Sequence, residues 1–270
     1  MTGEDQPRMV VASTRGQLQV ARKPLRGRVA VVMTMGALHD GHAELVRQAR
    51  QVADSVIVTI FVNPLQFGVG EDLDCYPRTL EADLSLCEAE GADLVFTPTP
   101  DVVCPREAVV RVSAGSLGTV LEGAARPGHF DGVLTVVLKL MHLTQPDVAL
   151  FGQKDAQQLA AIRRMVDDLD VPVSVVAVPT VREPDGLALS SRNRFLSAQD
   201  RPTALLLSQA LQLRDPEAGR ALFVGTKAHL DYLERVDSTT FQVAPDGDLL
   251  VVAAKVGGTR LIDNLPLKGR

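Results

Sequence analysis

The sequence predicts an α/β protein: a Rossmann-like, doubly wound parallel sheet followed by a smaller C-terminal α+β lid. Three observations carry this. Short β-branched runs are apolar on consecutive residues rather than alternate ones, segments with apolar residues at helical spacing lie between them, and beyond residue 180 the pattern changes. Continuous apolar runs belong to strands covered on both faces, and their alternation with helices builds a parallel sheet.

In chain order, strands are expected at 29–35, 55–62, 92–97, 147–151 and 172–178, and helices at 43–53, 80–90, 132–144 and 155–168. A further strand is expected at 108–113, ahead of a Gly-rich stretch. Residues 180–197 are polar and carry Arg and Pro, which reads as a functional loop rather than a linker. A helix at 198–213 and a second ending near Arg235 follow. Strands at 241–244 and 249–256 then flank the turn signal Pro245-Asp246-Gly247. The expected division is one domain at 1–180 and a small lid domain at 181–270.

Composition narrows the function. Hydrophobic residues make up 46% of the 270 and charged residues 23%, the balance of a globular protein rather than a disordered one. With no Trp and 2 Tyr, the chain lacks the aromatics that stack on single-stranded nucleic acid. A formal net charge of -5 gives no general field for nucleic acid or anionic lipid, although a local phosphate pocket is compatible with it. Cys75, Cys87 and Cys104 show no CxxC spacing, which fits a reducing compartment. Residues 1–8 are polar, without the apolar core of a signal peptide, and no apolar run approaches the ~18 residues of a membrane span. The expectation is a cytoplasmic globular protein, with no nucleic acid or membrane partner.

Ligands of open α/β sheets sit at the carboxyl ends of strands. The first such junction reads Met33-Thr34-Met35-Gly36-Ala37-Leu38-His39-Asp40-Gly41-His42. Its glycines admit a ligand close to the backbone, the new helix presents free N–H groups, and the two histidines can donate to phosphate. The same histidines also suit a simple helix cap, or a metal, although zinc requires at least a third ligand. The second junction, Asn63-Pro64-Leu65-Gln66-Phe67-Gly68, offers amide donors and acceptors on a constrained turn, and also fits ordinary turn chemistry. The fourth, Phe151-Gly152-Gln153-Lys154-Asp155, sets a lysine at the positive end of a helix, where a cation gains nothing unless an anion sits between them. Asp155 also suits an N-cap. After the fifth strand, Leu189-Ser190-Ser191-Arg192-Asn193-Arg194 groups hydroxyls and forked donors into a polyphosphate grip, or else a solvated basic loop. His129, His142 and His229 stand in unrelated contexts. There is no P-loop, GxGxxG fingerprint or G-x-S-x-G elbow.

Taken together and in this order, MTMGALHDGH, FVNPLQF, YPRT, LEG..RPGHF, FGQKD.QQL and DGLALSSRN resemble the pantothenate synthetases, the pantoate–β-alanine ligases. The resemblance runs from Met33 to Asn264 and places the chain with the HIGH-type nucleotidyl-transfer group. It implies two steps: pantoate attacks the ATP α-phosphate to give pantoyl adenylate and pyrophosphate, then β-alanine attacks the acyl carbon and AMP leaves. ATP, Mg²⁺ carried on its phosphates, and a homodimer are implied with it.

The resemblance also implies roles. His39 and His42 contact ATP phosphates, with His42 the usual acid; Thr34, Met35, Gly36 and Gly41 line the nucleotide site. Gln66 and Gln158 hold pantoate, with Asn63 close by and Gln66 also near β-alanine. Gly152, Gln153, Lys154 and Asp155 face ATP, Lys154 on phosphate and Asp155 on ribose. The Val181 backbone meets adenine, Leu189 lies beside it, and Ser190, Ser191 and Arg192 clamp phosphate. Tyr76, Glu122 and Arg126 support the substrates. Leu189 replaces a commoner Met, Ala156 a commoner aromatic, and the acidic run after YPRT is thinned to Glu81-Ala82-Asp83, leaving few carboxylates for Mg²⁺. Two other readings remain at this point: a nucleotidylyltransferase, and a nucleotide-binding module without chemistry.

Overall fold

The structure, a computed structural model, describes residues 9–68, 73, 76–106 and 108–267; residues 1–8 and Cys75 lie outside these. The chain forms two compact units. The first comprises Met1–Ala114, Gly128–Phe151 and Ile162–Val178, the second Gly115–Pro127, Gly152–Ala161 and Pro179–Arg270. No helix among the described residues is long and apolar enough to cross a membrane.

The first unit is built on a 6-stranded sheet of β1 (Val10–Ala12), β2 (Val29–Thr34), β3 (Ser55–Ile60), β4 (Leu94–Phe96), β5 (Val148–Gly152) and β6 (Ser174–Val178). The order is β1-β4-β3-β2-β5-β6, and the pairs β1–β4, β4–β3, β3–β2 and β2–β5 are parallel. The five expected strands are all present, with ends displaced by one or two residues. Val- and Ile-rich sequence makes them strands, because β-branched side chains pack on a pleated surface buried from both sides. Ala30, Val32, Val56, Val58, Val95, Val148 and Leu150 form the core with Val46 and Ala49 of the helix Asp40–Val52. Strand order reverses around β2, which has β3 on one side and β5 on the other. Such a switch point opens a crevice beyond the carboxyl ends of the strands, and β2 ends there at Thr34.

β1 and the helix Arg15–Arg22 are additions that the sequence patterns did not announce. β1 is a short edge strand with Val10 and Val11 half exposed, too brief to show a period. The strand expected at 108–113 does not form. Val109 and Val110 are 92% and 88% exposed, and the amides of Val112 and Ala114 bond side chains, Thr135 Oγ1 and Asp131 Oδ1, instead of a neighbouring strand.

The second unit carries an antiparallel sheet of β7 (His229–Val236), β8 (Leu249–Val256) and β9 (Thr259–Pro266). Leu207, Leu211, Phe223, Leu233, Leu250, Val252 and Leu261 form its core. Three expectations need correction here. The helix at 198–213 is split at Leu205 into Arg201–Ala204 and Leu206–Gln212. The next helix ends at Ala221, turns follow, and from His229 the chain is β7, whose alternation is hidden by a register shift between Leu230 and Tyr232. Pairing with β8 thus overrides the helical preference of Leu, Glu and Arg. The expected strand at 241–244 is a turn region: Phe241 is buried with φ 55, and Val243 makes one isolated bridge to Val236. The strand expected at 249–256 is β8 as read, and β9 was not expected.

Candidate active site

In the first unit the loop leaving β2 turns through two left-handed residues, Gly36 at φ 88 and Ala37 at φ 51. For alanine this conformation costs roughly 1–2 kcal/mol. The loop is held from behind by Asp83, a buried carboxylate of the helix Leu80–Ala89 that accepts from the Ala37 amide at 3.0 Å and the Leu38 amide at 2.8 Å. Thr34 fixes the start of the loop, its hydroxyl donating to Thr59 O at 2.8 Å.

The loop delivers the two histidines to the start of the helix Asp40–Val52, where His39 is the N-cap. The His39 amide donates to His42 Nδ1 at 3.2 Å, the Gly41 amide donates to His39 Nδ1 at 3.2 Å, and the rings lie 4.1 Å apart. A backbone N–H can only donate, so each Nδ1 must be an acceptor and each neutral ring carries its proton on Nε2. The helix-cap reading of the HxxH is therefore correct in itself, and capping also sets both rings to the donor tautomer that an anion requires. Among the described residues no group of three or more His, Cys, Asp or Glu is placed to hold a metal ion.

Met35 connects this loop to the next one. Gln66 Nε2 lies 2.9 Å from Met35 Sδ, and Gln66 Oε1 accepts from Asn63 Nδ2 at 3.0 Å. Asn63 caps the turn Pro64–Gln66 by accepting from the Leu65 amide at 3.0 Å, and also donates to Gly132 O at 3.1 Å. His129 is not an unrelated histidine: its Nδ1 donates to Gln66 O at 2.8 Å, so it secures the backbone that presents Gln66. Tyr76 packs edge-on against Phe67, with ring centroids 6.2 Å apart. Cys87 is buried, and burial first, then the Asp83 charge, pushes its thiol up to about 12, which removes it as a nucleophile.

The second unit holds the remaining candidates. Gly152 leads into the turn Gln153–Asp155, which Asn264 of β9 pins by donating from Nδ2 to Gln153 O and to Lys154 O, both at 2.9 Å. The Lys154 side chain is 19% exposed, and its ammonium stands 3.7 Å from Asp155 Oδ1. In the helix Ala156–Asp168 the two glutamines divide their tasks. Gln157 is buried and structural, donating to Leu117 O at 2.8 Å and Val120 O at 2.9 Å; Gln158 is half-buried.

The loop 181–189 is a small hairpin closed by Leu189 N–H to Val181 O at 2.9 Å and a bridge between Arg182 and Ala188. Arg182 makes a forked pair with buried Asp263 at 2.6 and 3.0 Å, and Asn193 donates to Glu183 at 2.6 Å and Ala188 O at 3.0 Å. These contacts fix the short turn Ser191–Phe195, where Ser190 Oγ accepts from the Arg192 amide at 3.3 Å. The Ser190–Arg192 segment is thus tied to its surroundings by backbone and side-chain hydrogen bonds. Arg126 closes the helix Glu122–Ala125 through its own amide. Glu122 is buried and receives Tyr232 Oη at 2.8 Å and Arg260 Nη1 at 2.7 Å. Burial, then the Glu122 charge, raises the Tyr232 pKa and keeps the hydroxyl a donor; for Arg260, burial lowers the pKa, but the hydrogen bonds and charges of Glu122, Asp231 and Tyr232 together raise it.

Sequence reading did not find Asp83, His129, Asn193 and Asn264 as supports, since each acts through a partner remote in the chain or through backbone. The candidates fall into a histidine–Gln66 group in the first unit and a Lys154 group and a Ser190–Arg192 group in the second.

The profile of the family described as Pantoate-beta-alanine ligase matches residues 9–266. Pantothenate synthetase from Acidothermus cellulolyticus is 54% identical over 285 residues, covering 98% of this chain and 94% of that protein. The crystal structure of pantothenate synthetase from Thermus thermophilus superposes with a TM-score of 0.91 at 44% identity, covering 97% of this chain and 100% of the other. Pantoate-beta-alanine ligase from Francisella tularensis, complexed with Beta-gamma ATP and Beta-alanine, gives 0.86 at 34% identity over 96% of this chain and 98% of the other. With a match that spans both units and every segment carrying the site, the chain belongs to the pantoate–β-alanine ligase family.

Proposed function

We propose that this protein condenses pantoate with β-alanine at the expense of ATP, passing through pantoyl adenylate. A pantoate carboxylate oxygen forms a bond to the α-phosphorus and pyrophosphate leaves. The β-alanine nitrogen then bonds the acyl carbon, AMP leaves and the nitrogen gives up a proton. The observation that carries this reading is the near full-length relationship to a ligase complexed with Beta-gamma ATP and Beta-alanine.

The nucleophiles come from the substrates, so the protein has to align them and stabilise charge. His39 and His42 donate from Nε2 to phosphate, and His42 supplies the acid function. Lys154 neutralises phosphate, while Ser190, Ser191 and Arg192 grip it. Gln66 and Gln158 orient pantoate, with Asn63, Tyr76 and Arg126 in support. Thr34, Met35, Gly36, Gly41, Gly152, Gln153, Asp155, the Val181 backbone and Leu189 surround the nucleotide. Mg²⁺ bound with ATP would neutralise part of its phosphate charge, and Lys154, Ser190, Ser191 and Arg192 are the protein groups that would share that task. Residues 1–180 bind ATP and pantoate and 181–270 act as the lid domain, in a homodimer working in the cytoplasm.

The test is AMP release from Mg·ATP with pantoate and β-alanine together and with each omitted. AMP that requires both and matches pantothenate supports the ligase. Folded, ATP-binding protein that releases no AMP overturns it, leaving AMP transfer to product or ATP binding without chemistry.

A further inference from the structure

We infer that Asp83 is a positioning residue for the histidine pair, an inference that rests on the ligase reading above. Asp83 is 2% exposed, and its carboxylate is directed at the loop that sets His39. Oδ2 accepts from the Ala37 amide at 3.0 Å and Oδ1 from the Leu38 amide at 2.8 Å, so both oxygens engage consecutive N–H groups. The Thr79 hydroxyl donates to Oδ1 at 3.0 Å and fixes the rotamer from the other side. The approach is close enough that a Cβ on Gly36 would meet Oδ2 at 3.1 Å.

Leu38 is joined directly to His39, whose amide is bonded to His42 Nδ1. Tilting the Ala37–Leu38 peptides therefore moves the N-cap, and with it both imidazoles as one body. A carboxylate suits this place and an amide does not. Both loop partners are donors, so asparagine turns its NH₂ against one of them and releases that end of the turn. The two left-handed residues of the loop make that release consequential, since the chain relaxes away from such conformations when its restraints are lost.

The role predicts loss of turnover, not of substrate affinity, because the histidines act on charge that develops during adenylation. The experiment compares wild type, Asp83→Asn, His42→Ala and the double variant in pantothenate and AMP formation, with folded fraction measured by urea unfolding. Wild-type turnover is read first: its absence sinks the ligase reading and this inference with it. Given turnover, Asp83→Asn is expected to lower kcat by about 10–100-fold with KM for ATP and pantoate within about 3-fold. In the His42→Ala background the further loss should be clearly smaller than in wild type, because only the part of the effect that passes through His39 remains. An unchanged kcat, or the same fold-loss in both backgrounds, overturns the positioning role even though the ligase stands. Should Asp83→Asn not fold, Thr79→Val runs the same cycle with an expected loss of about 3–10-fold and the same overturning result.

Discussion

Replacing Gly132 by alanine sets two effects of opposite sign against each other. Gly132 is the fourth residue of the helix His129–Thr144, and helix propensity alone makes Gly→Ala stabilising there by about 1 kcal/mol. An added Cβ, however, would stand 2.0 Å from Leu65 O, 2.4 Å from Leu65 C and 2.8 Å from Gln66 N, all backbone atoms. An ordinary carbon–oxygen contact is about 3.3 Å or longer, so helix and turn must separate by roughly 1.3 Å. That separation breaks the bonds from Asn63 to Gly132 O and from His129 to Gln66 O, each worth about 1 kcal/mol, and the residual strain costs about 1–3 kcal/mol. The net expectation is destabilisation by about 2–4 kcal/mol. A shift of this size in the residues around Gln66 should also lower kcat/KM for pantoate by roughly 10²-fold. Urea unfolding and steady-state kinetics on purified Gly132→Ala read both. A variant about 1 kcal/mol more stable than wild type, with unchanged kcat/KM, would refute the close approach.

His42→Ala should lower adenylation by about 10²–10³, as loss of a transition-state donor does, while unfolding loses only about 1 kcal/mol for the bond from the His39 amide; near-normal turnover would remove His42 from the chemistry. Asn264→Ala strips donors from Gln153 O and Lys154 O and should cost about 1–3 kcal/mol in thermal or urea unfolding, with adenylation falling as Lys154 loses its anchor. Asn264→Asp should be worse, since it aims a carboxylate at two carbonyls; equal stability of both variants would contradict the bonding. Cys87 gives a pH signature. Its folded pKa is raised from 9.0 to about 12, so its contribution is complete below about pH 9 and declines as pH rises towards 12. The slope reaches about 1.4 kcal/mol per pH unit. Stability measured from pH 8 to 11 should therefore fall more steeply in wild type than in Cys87→Ala, and parallel curves would disprove it.

The sheet was legible because its strands are buried on both faces, which writes an uninterrupted apolar run into the sequence. Where burial is one-sided the signal failed: β7 carries a bulge that scrambles its alternation, and Phe241 reaches the core from a left-handed turn rather than a strand. At 108–113 the apolar run looked like a strand, but its amides found side-chain partners. Site residues were legible where their chemistry depends on neighbours in the chain, as with His39 and His42. Asp83 serves a loop 45 residues away, His129 a carbonyl 63 away and Asn264 a turn 110 away, and no local spacing encodes such pairs.

The second unit gathers three separate stretches of chain, Gly115–Pro127, Gly152–Ala161 and Pro179–Arg270. Glu122 and Gln157 belong to the early stretches, while Tyr232, Arg260 and Asn264 arrive with roughly the last 40 residues. On a ribosome, then, a buried acid and the lysine-bearing turn emerge well before the groups that complete them. The unit is finished last and cannot be lifted out as a continuous cassette. A gene cut after Val178 would leave Glu122 without its arginine and tyrosine and the Lys154 turn without its anchor. For this chain, grafting and truncation act on stretches far apart in the polypeptide.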